Sequence, residues 1–226
     1  AQVSVTGGGS GTGIAALING TTDICASSRD MQQKEKDQAK EKNINPVEKT
    51  IAFDGIAIVV HPENPIKEIT LEQLKKIYTG AYKNWKELGG PDQPLTVLSR
   101  ESNSGTYVFF QEHVLNKENY APTVKLMPAS SSIVQSVSAD KWSIGYVGLG
   151  YTKEGNIKIV PVKKDDASAA VMPTHETVLD KTYSIARPLY LYFNGEPAGN
   201  GKTLLEFIMS PDGQKIVEET GYITLK

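Results

Sequence analysis

The chain contains the same kind of junction twice, and this repetition restricts its fold more than any other feature. At residues 99–107 the run Ser-Arg-Glu-Ser-Asn-Ser-Gly-Thr-Tyr follows an apolar stretch, 95–98, that reads as a strand. It precedes Val108, Phe109, Phe110, Val114 and Leu115, whose spacing suits one face of a helix. At residues 7–13 the run Gly-Gly-Gly-Ser-Gly-Thr-Gly follows Val3 and Val5, which alternate with polar residues as a short strand would, and precedes the helical face of Ile14, Leu17 and Ile18. Each junction is strand, polar turn, helix. Such a join aims the unbonded N–H groups of the first helical turn at whatever lies beyond the strand end, and with the helix dipole these favour an anion. Ser10, Ser104 and Thr106 add hydroxyl donors, and Gly105 lets backbone come close to a ligand. Arg100 adds a planar fork suited to carboxylate or phosphate oxygens. Taken alone, either turn also reads as a capping serine beside a surface arginine. Together they predict two helix N-termini facing one anion across a cleft.

Between the junctions, residues 23–26 read as a short strand that ends at Ser27, Ser28 and Arg29. Ser28 would add another hydroxyl at the strand end, whereas Arg29 favours a structural salt bridge over an anion contact. Residues 32–42 are highly charged without an apolar stripe and predict a solvated helix. Residues 50–60 form the most apolar run that carries a charge, and their β-branched continuity predicts a strand buried on both faces. Asp54 lies within that run, where a carboxylate is costly to bury without a partner. One reading makes it a turn aspartate before Gly55. The other makes it a discriminator, because an ionised carboxylate only accepts hydrogen bonds. It would accept from a protonated oxyanion such as phosphate and repel sulfate, which has no proton at neutral pH.

Downstream, Thr70 is expected to cap a helix, and residues 130–137 are expected to form another capped helix. Residues 142–151 and 157–162 read as strands with turns, 165–181 as irregular, and 189–193 as a tyrosine-rich strand. Leu204, Leu205, Phe207 and Ile208 share a helical face, and a last helix follows Ser210-Pro211.

Several classes are excluded or disfavoured. The 226 residues allow one large domain or two small ones, and the net charge of −2 has no basic stripe for nucleic acid. No run of about 18 apolar residues could span a membrane. The single cysteine, Cys25, precludes an internal disulfide and reads as a buried bystander. His61, His113 and His175 are isolated and lack metal-ligand spacing. Neither a nucleophile elbow nor a phosphate-loop lysine follows the glycines, so no catalytic residue, metal or cofactor is nominated. Residue 1 opens almost directly into the first expected strand, so no signal peptide is read.

On residues 7–17, 22–29, 53–60 and 100–107, with support from 143–151 and 210–223, the chain resembles the phosphate-binding proteins of bacterial high-affinity phosphate ABC transporters. The resemblance covers essentially the whole chain in family order. It implies an α/β, two-lobed periplasmic-binding-protein fold of type II character, with a ligand cleft between lobes and ligand-induced closure. Lobe 1 would comprise residues 1–62 and 153–226, and lobe 2 residues 63–152. It implies inorganic phosphate held by Ser10, Ser28, Asp54, Arg100, Ser104, Gly105 and Thr106. It further implies delivery to a membrane permease outside the cytoplasm, with or without a lipid anchor, and no chemistry. Family members usually begin with a further strand, Gly-Ser turn and helix before the segment that opens here. A chain longer than this one, a separate chain supplying that piece, or a repurposed relative would each account for the difference. The rival functions are binding of another oxyanion, a phosphatase using the same cradle, and a non-transport interaction protein completed by a partner chain.

Overall fold

The computed structural model describes residues 3–225. In chain order the elements are α1 (Ser10–Ile18), β1 (Ile24–Ser27), α2 (Gln33–Glu41), β2 (Pro46–Val60), β3 (Ile69–Thr70), α3 (Leu71–Tyr78), β4 (Thr96–Arg100), α4 (Gly105–His113) and β5 (Lys125–Met127). There follow α5 (Ser130–Ala139), β6 (Ser143–Gly148), β7 (Lys158–Val160), β8 (Val162–Lys163), α6 (His175–Leu179), β9 (Ala186–Asn194), α7 (Gly199–Met209) and α8 (Pro211–Glu219). The chain forms two compact units. Unit 1 is Ala1–Phe53, Ser102–Gly105 and Arg187–Lys226; unit 2 is Asp54–Glu101 and Thr106–Ala186. The expected lobe boundaries near residues 62 and 152 both fall inside unit 2.

In unit 1 the strand order is β1-β9-β2. β1 and β9 are antiparallel, with Ile24 opposite Phe193 and Ser27 opposite Tyr190. α1 packs its apolar face, Ile14, Leu17 and Ile18, with Cys25, Met31 and Tyr192 into one core. Each such side chain contributes about 1.5–3 kcal/mol when fully buried. Glu35 closes a capping box at the start of α2, its carboxylate accepting from the Gln32 N–H at 2.8 Å. Ser210 caps α8 from one residue before Pro211, its hydroxyl accepting from Gly213 N–H. The chain end is tied back by the Phe53 and Ile223 main chains, which exchange bonds of 2.7 and 2.9 Å.

In unit 2 the order is β2-β6-β4-β5, with β7 also on β2. β2 is antiparallel to β6 and β7, and β4 is parallel to both β6 and β5. Of the run 50–60 expected to be covered on both faces, residues 54–60 are buried throughout, whereas Thr50, Ile51 and Phe53 are only half-buried. Val59, Leu98, Ile133, Val137 and Val147 share one core. Thr70 caps α3 as expected, accepting from Gln73 N–H at 3.1 Å while the Gln73 side chain accepts from Thr70 N–H at 2.9 Å.

Three local expectations are corrected. Residues 3–5 form no strand: Val3 and Val5 are 70% and 89% exposed, and alternation alone gives a strand no partner for its backbone groups. The span 165–181 is not wholly irregular, since Thr174 caps the short helix α6 by accepting from Thr177 N–H. α5 starts as expected, but its N-cap is Ala129, which makes no side-chain cap bond; the Ser130 hydroxyl accepts from Arg100 instead.

Candidate functional site

The two junctions meet in unit 1. α1 begins at Ser10 after Gly9, whose φ of 90° is a conformation that suits glycine. Ser10 is 5% exposed, and its Oγ accepts from the Ser28 N–H at 3.0 Å and lies 3.3 Å from Ser28 Oγ. Ser10 Oγ thus accepts from the Ser28 main chain, and either serine can be the donor in the contact between the two hydroxyls. The turn Ser102–Gly105 packs on these groups. The Asn103 carbonyl accepts from Gly11 N–H at 3.0 Å, and the Asn103 side-chain amide donates to the Gly8 carbonyl at 2.9 Å. A Cβ on Gly105 would stand 2.2 Å from Ser10 Oγ and 2.5 Å from Ser28 Oγ, so only glycine fits. Thus Ser10, Ser28, Ser104 and Gly105 are brought together, and Ser104 is itself buried. The N-terminus of α1 is not wholly open, because Asn103 engages the Gly11 amide.

The residues after Ser28 hold it in place. The Ser27 hydroxyl donates to the Arg29 carbonyl at 2.7 Å, and Arg29 forks onto Glu35 with two bonds of 2.7 Å. Arg29 is 5% exposed, so this is a buried bidentate pair, as its structural reading expects. The Tyr192 hydroxyl accepts from the Met31 N–H at 3.2 Å and donates to Glu48, fixing the end of the same turn.

Asp54, Arg100 and Thr106 belong to unit 2. Asp54 is 1% exposed and accepts from Leu149 N–H at 3.0 Å. A Cβ on Gly148 would lie 2.7 Å from its Oδ2, so this residue too must stay glycine. Burial, and secondarily the charge of Asp54, hold the Tyr183 phenol well above the usual tyrosine range. Arg100 engages residues 127–130: its guanidinium donates to the Met127 and Pro128 carbonyls at 3.3 and 2.9 Å and to Ser130 Oγ at 3.0 Å. Thr106 is buried one residue after Gly105.

Within unit 2, a network that the sequence did not disclose links Ser99 to Tyr107. Tyr120 donates to the Tyr107 carbonyl at 2.9 Å and lies 2.9 Å from the Tyr146 hydroxyl, which lies 2.6 Å from Ser99 Oγ. If the Tyr120 proton goes to Tyr107, the order of donation is Ser99 to Tyr146 to Tyr120 to Tyr107. Burial pushes Tyr146 up to about 12, against the opposing pull of its bonds with Ser99, Tyr120 and the Arg100 backbone. Both ends of residues 100–107 are thereby fixed. Neither Asn103 nor Gly148 stands out in the sequence. The signal available is the Asn-Ser-Gly order for the first; nothing local marks Gly148 or the tyrosines.

The three histidines remain apart: His61 Nδ1 accepts from Glu63 N–H, and His113 Nδ1 meets the Phe109 carbonyl. Among the described residues no group of His, Cys, Asp and Glu could hold a metal, and no helix is long and apolar enough to cross a membrane.

A two-unit α/β chain whose glycine turns converge buried hydroxyls has the architecture of a solute-binding protein, and the family model of the PBP superfamily domain matches residues 1–212. Among curated proteins, the phosphate-binding protein PstS of Staphylococcus aureus (strain USA300) is 35% identical over 99% of this chain and 69% of its own length. Among solved structures, a phosphate ABC transporter substrate-binding protein from Clostridium perfringens, with bound phosphate, is 37% identical at a TM-score of 0.86. That match covers 97% of this chain and 86% of the other. An ABC-type phosphate transport receptor from Vibrio cholerae is 31% identical at a TM-score of 0.79, covering 99% and 88%. The chain belongs to the PstS family of phosphate-binding proteins.

Proposed function

We propose that this chain binds inorganic phosphate and presents it to an ABC-type permease for uptake, working outside the cytoplasmic membrane and catalysing no reaction. The observation that carries the reading is the packing of Gly105 on the Ser10 and Ser28 hydroxyls, which makes an array of oriented neutral donors. Family membership supplies the ligand class. In this reading Ser10, Ser28, Ser104, Gly105 and Thr106 donate to phosphate oxygens, and Asp54 accepts the proton that phosphate keeps at neutral pH. Arg100 contributes charge while its fork keeps residues 127–130 in place. The bonds to the anion are charge-assisted, and each contributes about 1.5–3 kcal/mol.

Isothermal titration of ligand-stripped protein with phosphate, sulfate and molybdate tests the proposal. Saturable one-to-one binding of phosphate, at least a hundredfold tighter than sulfate, is expected. Equal or tighter sulfate or molybdate binding would transfer the reading to another oxyanion. The role of Asp54 is tested by Asp54→Asn, which should weaken phosphate and let sulfate bind more closely to it; unchanged affinities for both would remove Asp54 from the site. Turnover of p-nitrophenyl phosphate by clean protein would overturn the non-catalytic assignment.

A further inference from the structure

Asn103 makes contacts that no ligand-binding role explains. It lies in the short segment Ser102–Gly105 that groups with unit 1, although the residues on either side group with unit 2. Its side chain is exposed, yet it reaches Gly8, 95 residues away in sequence, with a 2.9 Å bond from Nδ2 to the carbonyl. Its own carbonyl accepts from Gly11 N–H at 3.0 Å. The glycine turn is shaped around it: a Cβ on Gly9 would stand 2.7 Å from the Asn103 carbonyl oxygen, and one on Gly11 would stand 3.2 Å from it. One residue therefore grips the first turn on both sides of Ser10. Two residues further along, Gly105 rests on Ser10 Oγ and Ser28 Oγ.

We infer that Asn103 is the positioning residue for the anion: it sets the register of the second turn on the first, so that the Ser10 and Ser28 hydroxyls and the donors at Ser104 and Gly105 converge on one ligand. This rests on the proposed phosphate-binding role. Nothing in the geometry requires Asn103 itself to touch the ligand. The grip holds the donors in place before binding, so the ordering of two separate turns is not charged against affinity. The side chain is needed as a donor. An aspartate of the same shape would set a carboxylate oxygen against the Gly8 carbonyl, where two acceptors repel.

The test is isothermal titration with inorganic phosphate for the wild type, Asn103→Ala and Asn103→Asp, alongside thermal melts without ligand. The alanine variant should bind about tenfold more weakly, equivalent to about 1.4 kcal/mol, and the aspartate variant more weakly still. The ligand-free melting temperature of the alanine variant should stay close to wild type because the side chain is exposed. A filler or purely structural residue would not produce the order Asn, Ala, Asp in affinity at constant stability. If the wild type binds phosphate and Asn103→Ala binds it within twofold, the positioning role is refuted while the binding reading stands. A lowered melting temperature with unchanged affinity refutes it equally. If the wild type does not bind phosphate, the proposed function itself has failed. Should the alanine variant not fold, Asn103→Ser, which is too short to reach Gly8, takes its place under the same criteria.

Discussion

Replacing Gly105 with alanine adds one methyl group at the point where the two turns touch. Gly105 is not among the residues with positive φ, so alanine meets no backbone penalty there and the whole effect is contact. The new carbon would stand 2.2 Å from Ser10 Oγ and 2.5 Å from Ser28 Oγ, well inside the 3.0 Å that real Cβ contacts essentially never cross. Neither oxygen can retreat freely, because Ser10 Oγ is held by the Ser28 N–H and Ser28 is followed by the Arg29–Glu35 fork. The turn must lift off instead, with an overpacking cost of about 1–3 kcal/mol in stability. Affinity should suffer more. If two hydroxyls lose their alignment with the anion, at about 1.5–3 kcal/mol each, phosphate binding should weaken at least a hundredfold. Titration calorimetry reads the affinity, and urea unfolding without ligand reads the stability. Gly7→Ala is the control, since nothing lies within 4 Å of a Cβ there and Gly7 has no positive φ. If Gly105→Ala bound phosphate within threefold of wild type, the convergence of donors at this glycine would not be the basis of binding.

Three other outcomes are expected elsewhere in the molecule. Glu35→Gln removes the charge opposite a guanidinium that is nearly fully buried, with side-chain exposures of 4% for Arg29 and 17% for Glu35; urea unfolding should show a loss of about 3 kcal/mol, and a loss below about 1 kcal/mol would mean the pair is dispensable. Tyr146 is raised from 10.0 to about 12 by burial, so its neutral form favours the folded state; that contribution is complete below the unfolded value and is lost as pH rises from 10 through 12, by about 1.4 kcal/mol per pH unit. Melting temperatures between pH 8 and 12 should therefore fall more steeply for the wild type than for Tyr146→Phe, and parallel curves would contradict the assignment. Cys25 is pushed up to about 11 by burial, so its thiol should resist Ellman's reagent at pH 8 until denaturant is added, and prompt reaction in the native protein would show that α1 opens locally.

How much is legible in the sequence depends on whether the cause is local. The cap at Thr70 is a local signal, and the structure closes it reciprocally with Gln73, three residues on. The buried run 54–60 announces itself through continuous β-branched residues. Residues 3–5 show the limit: they carry the alternation of a strand, but pairing needs a neighbour, which pattern alone does not reveal. Ser130 shows another limit. A serine opening a helix reads as a cap, and only the fold brings Arg100 from 30 residues away to claim its hydroxyl. The hydroxyl chain through Ser99, Tyr146 and Tyr120 is invisible for the same reason, since its members lie in different elements and no spacing relates them. Ser10, Ser28 and Gly105 are legible as candidates because the strand-to-helix turn rich in glycine and hydroxyls occurs twice, where one such turn alone would read as a helix cap. That Gly105 touches both serines is not.

Both arginines in the motifs are engaged by protein groups, and this bears on how such a site would choose its ligand. Arg29 is forked by Glu35, and Arg100 donates to two carbonyls and a serine at residues 127–130. Neither is presented as a loose cation, and a cation would in any case attract sulfate and phosphate alike. The hydroxyls and amides around Ser10 and Gly105 are neutral donors held by glycine packing, and they too serve any tetrahedral oxyanion. Asp54 is the group of opposite character: a buried carboxylate with one oxygen accepting from Leu149 N–H and the other crowding Gly148. In the proposed reading, selectivity resides there, because a carboxylate rewards a ligand that brings a proton and penalises one that does not. The donors would then set affinity and Asp54 would set identity, so substitutions at Gly105 or Asn103 should weaken phosphate and sulfate in proportion, whereas Asp54→Asn should change their ratio. Titrating the same three variants with both anions separates these roles. A Gly105 or Asn103 variant that altered the ratio as strongly as Asp54→Asn would show that shape, and not the proton, makes the distinction.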